Sequence, residues 1–98
     1  MTQIIAERRY RARGNIPVVA RIYAPQRSAA HPSEWLCWVE IYGLETPFRE
    51  RAIGDDSFQA LALGFRLLCS QLDEVGTTLS FLNGPEGDTM TPMMAVWS

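Results

Sequence analysis

Residue types that do covalent chemistry are scarce in this chain. One histidine, His31, stands in a polar run before Pro32, and two cysteines, Cys37 and Cys69, lie 32 positions apart. A Cys/His pair needs the thiol beside a base that takes its proton. Both cysteines stand instead in apolar runs, where a free thiol behaves as a small hydrophobe. Structural zinc takes four N or S ligands in close pairs. Three scattered candidates do not supply that, so no metal and no cofactor is expected. Asp55-Asp56 offers two carboxylates for acid–base work, but helix capping explains them with no added assumption. Asn83-Gly84-Pro85-Glu86-Gly87 puts an acid where a phosphate loop needs bare amides. No serine or threonine has a base near it in sequence. An enzyme here would have to work without a readable motif, and no catalytic residue is assigned.

The arginines make the sharper case. Arg9, Arg11 and Arg21 share one side of two alternating stretches with Tyr23, and Trp38 and Tyr42 share a side of a third. Basic groups set between aromatics on a sheet hold single-stranded nucleic acid in several modules. The same six residues suit a protein interface or a small ligand, and the bland reading is a solvated face with guanidinium–ring contacts. Formal net charge is −2, and Glu7 and Glu40 fall on that same side. The charge is uneven: +5 over residues 1–27, −3 over 28–69 and −4 over 70–98, with no lysine. A basic N-terminal third can steer an acidic partner. A dedicated nucleic-acid binder, however, carries a basic total, so nucleic acid is not the leading expectation.

The elements that must position these residues follow from periodicity. Ninety-eight residues, 47% apolar and 20% charged, make one globular domain over 1–98. Residues 4–12 alternate as a half-buried strand, and 16–24 do so again after Gly14-Asn15, which supply the positive φ of a tight hairpin. A three-residue loop pairs Ala12 with Ile16, Tyr10 with Val18 and Glu7 with Arg21. Pro25 to Ser33 reads as a polar loop. Residues 34–42 form a third strand, with Trp35, Cys37, Val39 and Ile41 on one face and Leu36, Trp38, Glu40 and Tyr42 on the other. Residues 48–53 form a shorter fourth strand whose charges suit a sheet edge. Asp56 and Gln59 open a helix in capping-box style. Phe58, Leu61, Phe65, Leu68, Leu72 and Val75 make its apolar stripe, and Gly76 its expected C-terminal cap. Residues 77–82 read as a fifth strand and 89–91 as a possible sixth, before an apolar tail from Met93 to Trp97. The fold class is therefore α+β: an antiparallel four-strand meander, one long α-helix packed on one face, then the remaining strands.

Three stretches also carry a resemblance. Ile5-Ala6-Glu7-Arg8-Arg9-Tyr10-Arg11-Ala12, Arg21-Ile22-Tyr23-Ala24-Pro25 and Asp55-Asp56-Ser57-Phe58-Gln59-Ala60-Leu61 resemble a family of small bacterial proteins known only as a domain of unknown function. The resemblance implies a small bacterial, cytoplasmic α+β protein and carries over no catalytic residue. The N-terminus has no basic and apolar leader pattern, and no run nears the ~20 apolar residues of a membrane span.

One demand of the geometry goes unmet by the sequence. A single helix ~10 Å across covers only part of one face of a sheet roughly 24–29 Å wide. The opposite face is expected to carry Ile5, Val19, Tyr23, Leu36, Trp38 and Tyr42. Exposed apolar patches of that size mark interfaces. A non-catalytic binding or interaction protein that forms a homodimer, or meets another protein partner, is the leading expectation. The candidate binding face is Arg9, Arg11, Arg21, Tyr23, Trp38 and Tyr42. A small-ligand or single-stranded nucleic-acid binder is the alternative, and an enzyme without a motif comes third.

Overall fold

The computed structural model describes residues 3–12, 14–75 and 79–81, the last three by backbone alone. Strand β1 (Ile4–Ala12) turns back into β2 (Ile16–Tyr23) in the expected register, with Ala12 opposite Ile16, Tyr10 opposite Val18 and Glu7 opposite Arg21. Gly14 and Asn15 take φ of 84° and 64°, and the Asn15 amide donates to the Ala12 carbonyl at 3.0 Å. Only residues that tolerate positive φ close a hairpin this tightly.

The expected polar loop over Pro25–Ser33 holds a short strand, β3 (Gln26–Arg27), and this corrects the sequence reading. It lies against Trp35 and Leu36 of β4 (Trp35–Tyr42), while β2 lies against Val39 to Tyr42. The register slips by one residue between them, so β3 continues β2 past an interruption at Ala24-Pro25. β5 (Phe48–Gly54) takes the other edge of β4, and β6 (Leu79–Phe81) pairs with β1 at Tyr10 to Ala12. The long strands thus run as the expected meander. The sixth strand foreseen over 89–91, the cap at Gly76 and the tail from Met93 lie outside the described residues.

Helix α1 (Ser57–Val75) packs mainly on β4 and β5 and only slightly on β2. Asp56 Oδ1 accepts from the Gln59 amide at 2.7 Å, and Gln59 Oε1 reaches back to the Asp55 amide at 2.6 Å. This is the anticipated reciprocal cap, displaced by one residue on its return arm. The buried helix face is Ala60, Gly64, Leu68, Cys69 and Leu72. Phe58, expected in the stripe, is 82% exposed. The cause is volume. A Cβ at Gly64 would stand 2.6 Å from Cys37 Sγ, so the helix lies close enough to β4 that only small residues fit the contact line. Larger side chains turn to its flanks.

The core between helix and sheet gathers Tyr10, Val18, Ala20, Ile22, Cys37, Val39 and Ile41 with Leu68 and Leu72. A β-bulge between Ile4 and Ala6 overturns one further expectation. It turns Ile5 away from the open face, toward an apolar groove shared with Phe58, Leu61 and Phe65. Ile4, opposite Tyr23, takes its place. Among the described residues, no helix is long and apolar enough to cross a membrane.

Candidate binding face of the sheet

No described element covers the other face of the sheet, and the β-ladders order its side chains into rows. Glu7, Arg21, Glu40 and Arg49 face one another in turn across β1, β2, β4 and β5. Period two puts all four on one side, and antiparallel register makes them neighbours ~4.8 Å apart. The row alternates in sign. Arg21 Nε donates to Glu7 Oε2 at 2.9 Å, and Arg49 Nε lies 3.4 Å from Glu40 Oε2. Glu7 hydrogen-bonding and charge hold the Arg21 guanidinium still more firmly protonated.

Glu40 is the hub, 3% exposed although its face has no helix over it. Tyr23 donates its hydroxyl to Oε1, and Tyr42 donates to Oε2 at 2.7 Å. A buried carboxylate is tolerable only when its lone pairs are met, and here two phenols and a guanidinium meet them. The hydrogen bond to Glu40, with burial behind it, pushes the Tyr23 phenol up to about 12.

Aromatic rings flank the row, with arginines over them. Arg21 stands 5.0 Å from the Tyr42 ring centre, and Arg49 and Arg51 stand 4.5 Å and 5.5 Å from that of Trp38. The face expected to be bare is thus laid over by its own guanidiniums. Such contacts are worth roughly 0.5–1 kcal/mol each at exposed sites.

Of the six residues expected here, Arg9, Arg21, Trp38 and Tyr42 come together, Arg9 lying 3.6 Å from Glu7. Tyr23 lies on the same face but is buried, serving Glu40 rather than the surface. Arg11 stands apart at the hairpin end, donating to Asn15 Oδ1 at 3.4 Å. Arg49 and Arg51, whose strand suggests only edge charges by its composition, join this face. The signal lay in the register, since aligning 48–53 against 35–41 puts Arg51 beside Trp38 and Arg49 beside Glu40.

The other chemical candidates do not converge. His31 is exposed in the loop after β3, its amide bonded to Ser28 Oγ at 3.1 Å. Burial pushes the Cys37 thiol up to about 11, against the nucleophile's need for a thiolate. Among the described residues, no three His, Cys, Asp or Glu side chains are placed to hold a metal ion. The family model described as "Domain of unknown function (DUF6968)" matches residues 6–91. No curated protein and no solved structure matches the chain.

Proposed function

This chain belongs to the DUF6968 family, a domain of unknown function, and we propose that its role is non-catalytic: an interaction protein that self-associates through the open face of its sheet. One observation carries the reading. Arg21, Arg49 and Tyr42 are already held in place by Glu7 and Glu40 before any partner arrives, and Arg49 lies over the Trp38 ring. Arginine, tryptophan and tyrosine are the side chains that dominate interface energetics. Fixing them in advance removes much of the ordering cost that association otherwise carries. A bacterial cytoplasmic setting goes with the reading, because the free thiols of Cys37 and Cys69 suit a reducing compartment.

Sedimentation across a concentration series tests it. The expected result is a reversible rise from the chain's 11.0 kDa toward twice that value, lost in Trp38→Glu. A mass that stays at 11.0 kDa at every concentration would remove the self-association.

The two guanidiniums over Trp38 favour a second reading, single-stranded nucleic acid, since they pair phosphate-binding groups with a stacking ring. Those guanidiniums also occupy ring surface that a base would use, and Glu7 and Glu40 repel phosphate. Fluorescence anisotropy with labelled oligo-dT and oligo-U separates the readings. Saturable binding that weakens with salt and fails in Trp38→Ala would promote nucleic acid over protein.

A further inference from the structure

We infer that the open face closes on a second copy of this chain, sheet against sheet, about a two-fold axis running parallel to the strands between β2 and β4. The inference rests on the self-association proposed above and adds its geometry. What selects the axis is the order of charge in the row Glu7, Arg21, Glu40, Arg49, read across β1, β2, β4 and β5.

A two-fold along the strands reverses the row on the facing copy. Glu7 then meets Arg49 of the second copy, and Arg21 comes over the tyrosine-covered Glu40 of that copy, so the two exposed charges at the ends of the row face the opposite sign. A two-fold across the strands that runs along this row keeps the order and sets Glu7 on Glu7 and Arg21 on Arg21. Like charges brought together at an interface oppose association, so only the first arrangement is self-complementary. Isologous contact of this kind is the commonest oligomer symmetry.

The rows on either side agree. Val19 comes to face Tyr42, and Trp38 lies in the row beyond Glu40, giving an apolar and aromatic centre near the axis. The remaining arginines, Arg9 beside Glu7 and Arg51 beside Trp38, fall on β1 and β5 at the rim, where water remains. An apolar centre with a charged rim is the ordinary anatomy of a protein interface. Four strands ~4.8 Å apart and about eight residues long offer roughly 500 Å² a side, or about 1,000 Å² in all, at the lower bound for a specific contact. The twist of each sheet lets two such faces pack with strands about 30° apart.

A charge swap between two copies tests the axis. Glu7 and Arg49 are suited to it, their side chains being 33% and 46% exposed. Glu7→Arg alone and Arg49→Glu alone each put like charges face to face, and each is expected to sediment near 11.0 kDa. Mixing the two variants restores both contacts, so the mixture should return to twice that mass, with affinity at least about tenfold above either variant alone. Thermal melts of each variant establish that it is folded. Ile4→Cys mixed with Arg51→Cys gives an independent readout: a disulfide between copies should form in the mixture and in neither variant alone. A wild-type dimer whose swapped variants gain nothing on mixing, and whose cysteines do not cross-link, would overturn this geometry and leave self-association standing. A wild type that never exceeds 11.0 kDa would overturn the reading beneath it.

Discussion

Tyr23 and Glu40 meet on the helix-free face of the sheet, the phenol hydroxyl donating to the carboxylate with both side chains buried. The phenol's pKa, raised by this contact from 10.0 to about 12, ties the pair to pH. A folded-state pKa above the unfolded value means stabilisation that is complete below pH 10 and lost as pH rises through 12. Urea stability should therefore fall over that window, and fall less steeply in Tyr23→Phe. Tyr10, whose pKa burial raises, contributes its own part to the fall in both proteins. Equal slopes in the two proteins would show that the Tyr23–Glu40 bond contributes nothing.

At neutral pH the same substitution removes one donor from a buried acceptor. Tyr23→Phe should lower unfolding free energy by about 1–3 kcal/mol. Denaturant midpoints at pH 7 measure it. Tyr42→Phe should cost less, because its side of Glu40 lies nearer solvent and water can replace the hydroxyl.

Gly64→Ala sets two effects against each other. Alanine favours the helix by about 1 kcal/mol, but its Cβ would press on Cys37 Sγ at 2.6 Å. Overpacking of a tight core costs about 1–3 kcal/mol, so net destabilisation is expected. Adding Cys37→Ala should recover part of it, and a double-mutant cycle with no coupling would show that the helix shifts freely.

Leu68→Asp and Phe58→Asp distinguish the observed helix face from the one periodicity suggested. Leu68 is 6% exposed and Phe58 82%. The first change buries an unpaired carboxylate and should abolish the cooperative melt. The second should shift stability by no more than about 0.5 kcal/mol.

Asp56→Ala removes the acceptor of the Gln59 amide and should cost about 1 kcal/mol through the lost cap. It should leave self-association unchanged, since Asp56 lies at the helix start, away from the open face. A loss of dimer without loss of stability would give Asp56 a direct role in contact.

The hairpin was legible residue by residue because Gly14-Asn15 and period-two alternation admit a single register. The helix span was equally legible from Asp56 and Gln59. Its buried face was not, because apolarity ranks Phe58 above Ala60 and Gly64, whereas a close helix–sheet contact selects for small volume. No glycine or proline marks the bulge at Ile5, so alternation carried it to the wrong side. The candidate face was half legible: strand parity groups Arg9, Arg21, Trp38 and Tyr42, but the register of β5 on β4 brings in Arg49, and the pairing of β2 with β4 makes Glu40 its hub.

Because the helix docks on β4 and β5, the strands just before it in the chain, residues 35–75 close largely upon themselves. β1 and β2 do likewise through their three-residue loop. Among the described residues, assembly then needs two local events and two joining steps, of which the pairing of β6 with β1 is the shorter and the zippering of β2 onto β4 the longer. Hairpins form within about 1–10 μs, so the slow step belongs to that seam, where Ile22 lies opposite Val39. Truncation there should slow refolding, while truncation at Tyr10 should chiefly hasten unfolding. A stopped-flow series in which Ile22→Val alters only the unfolding limb would place the barrier elsewhere.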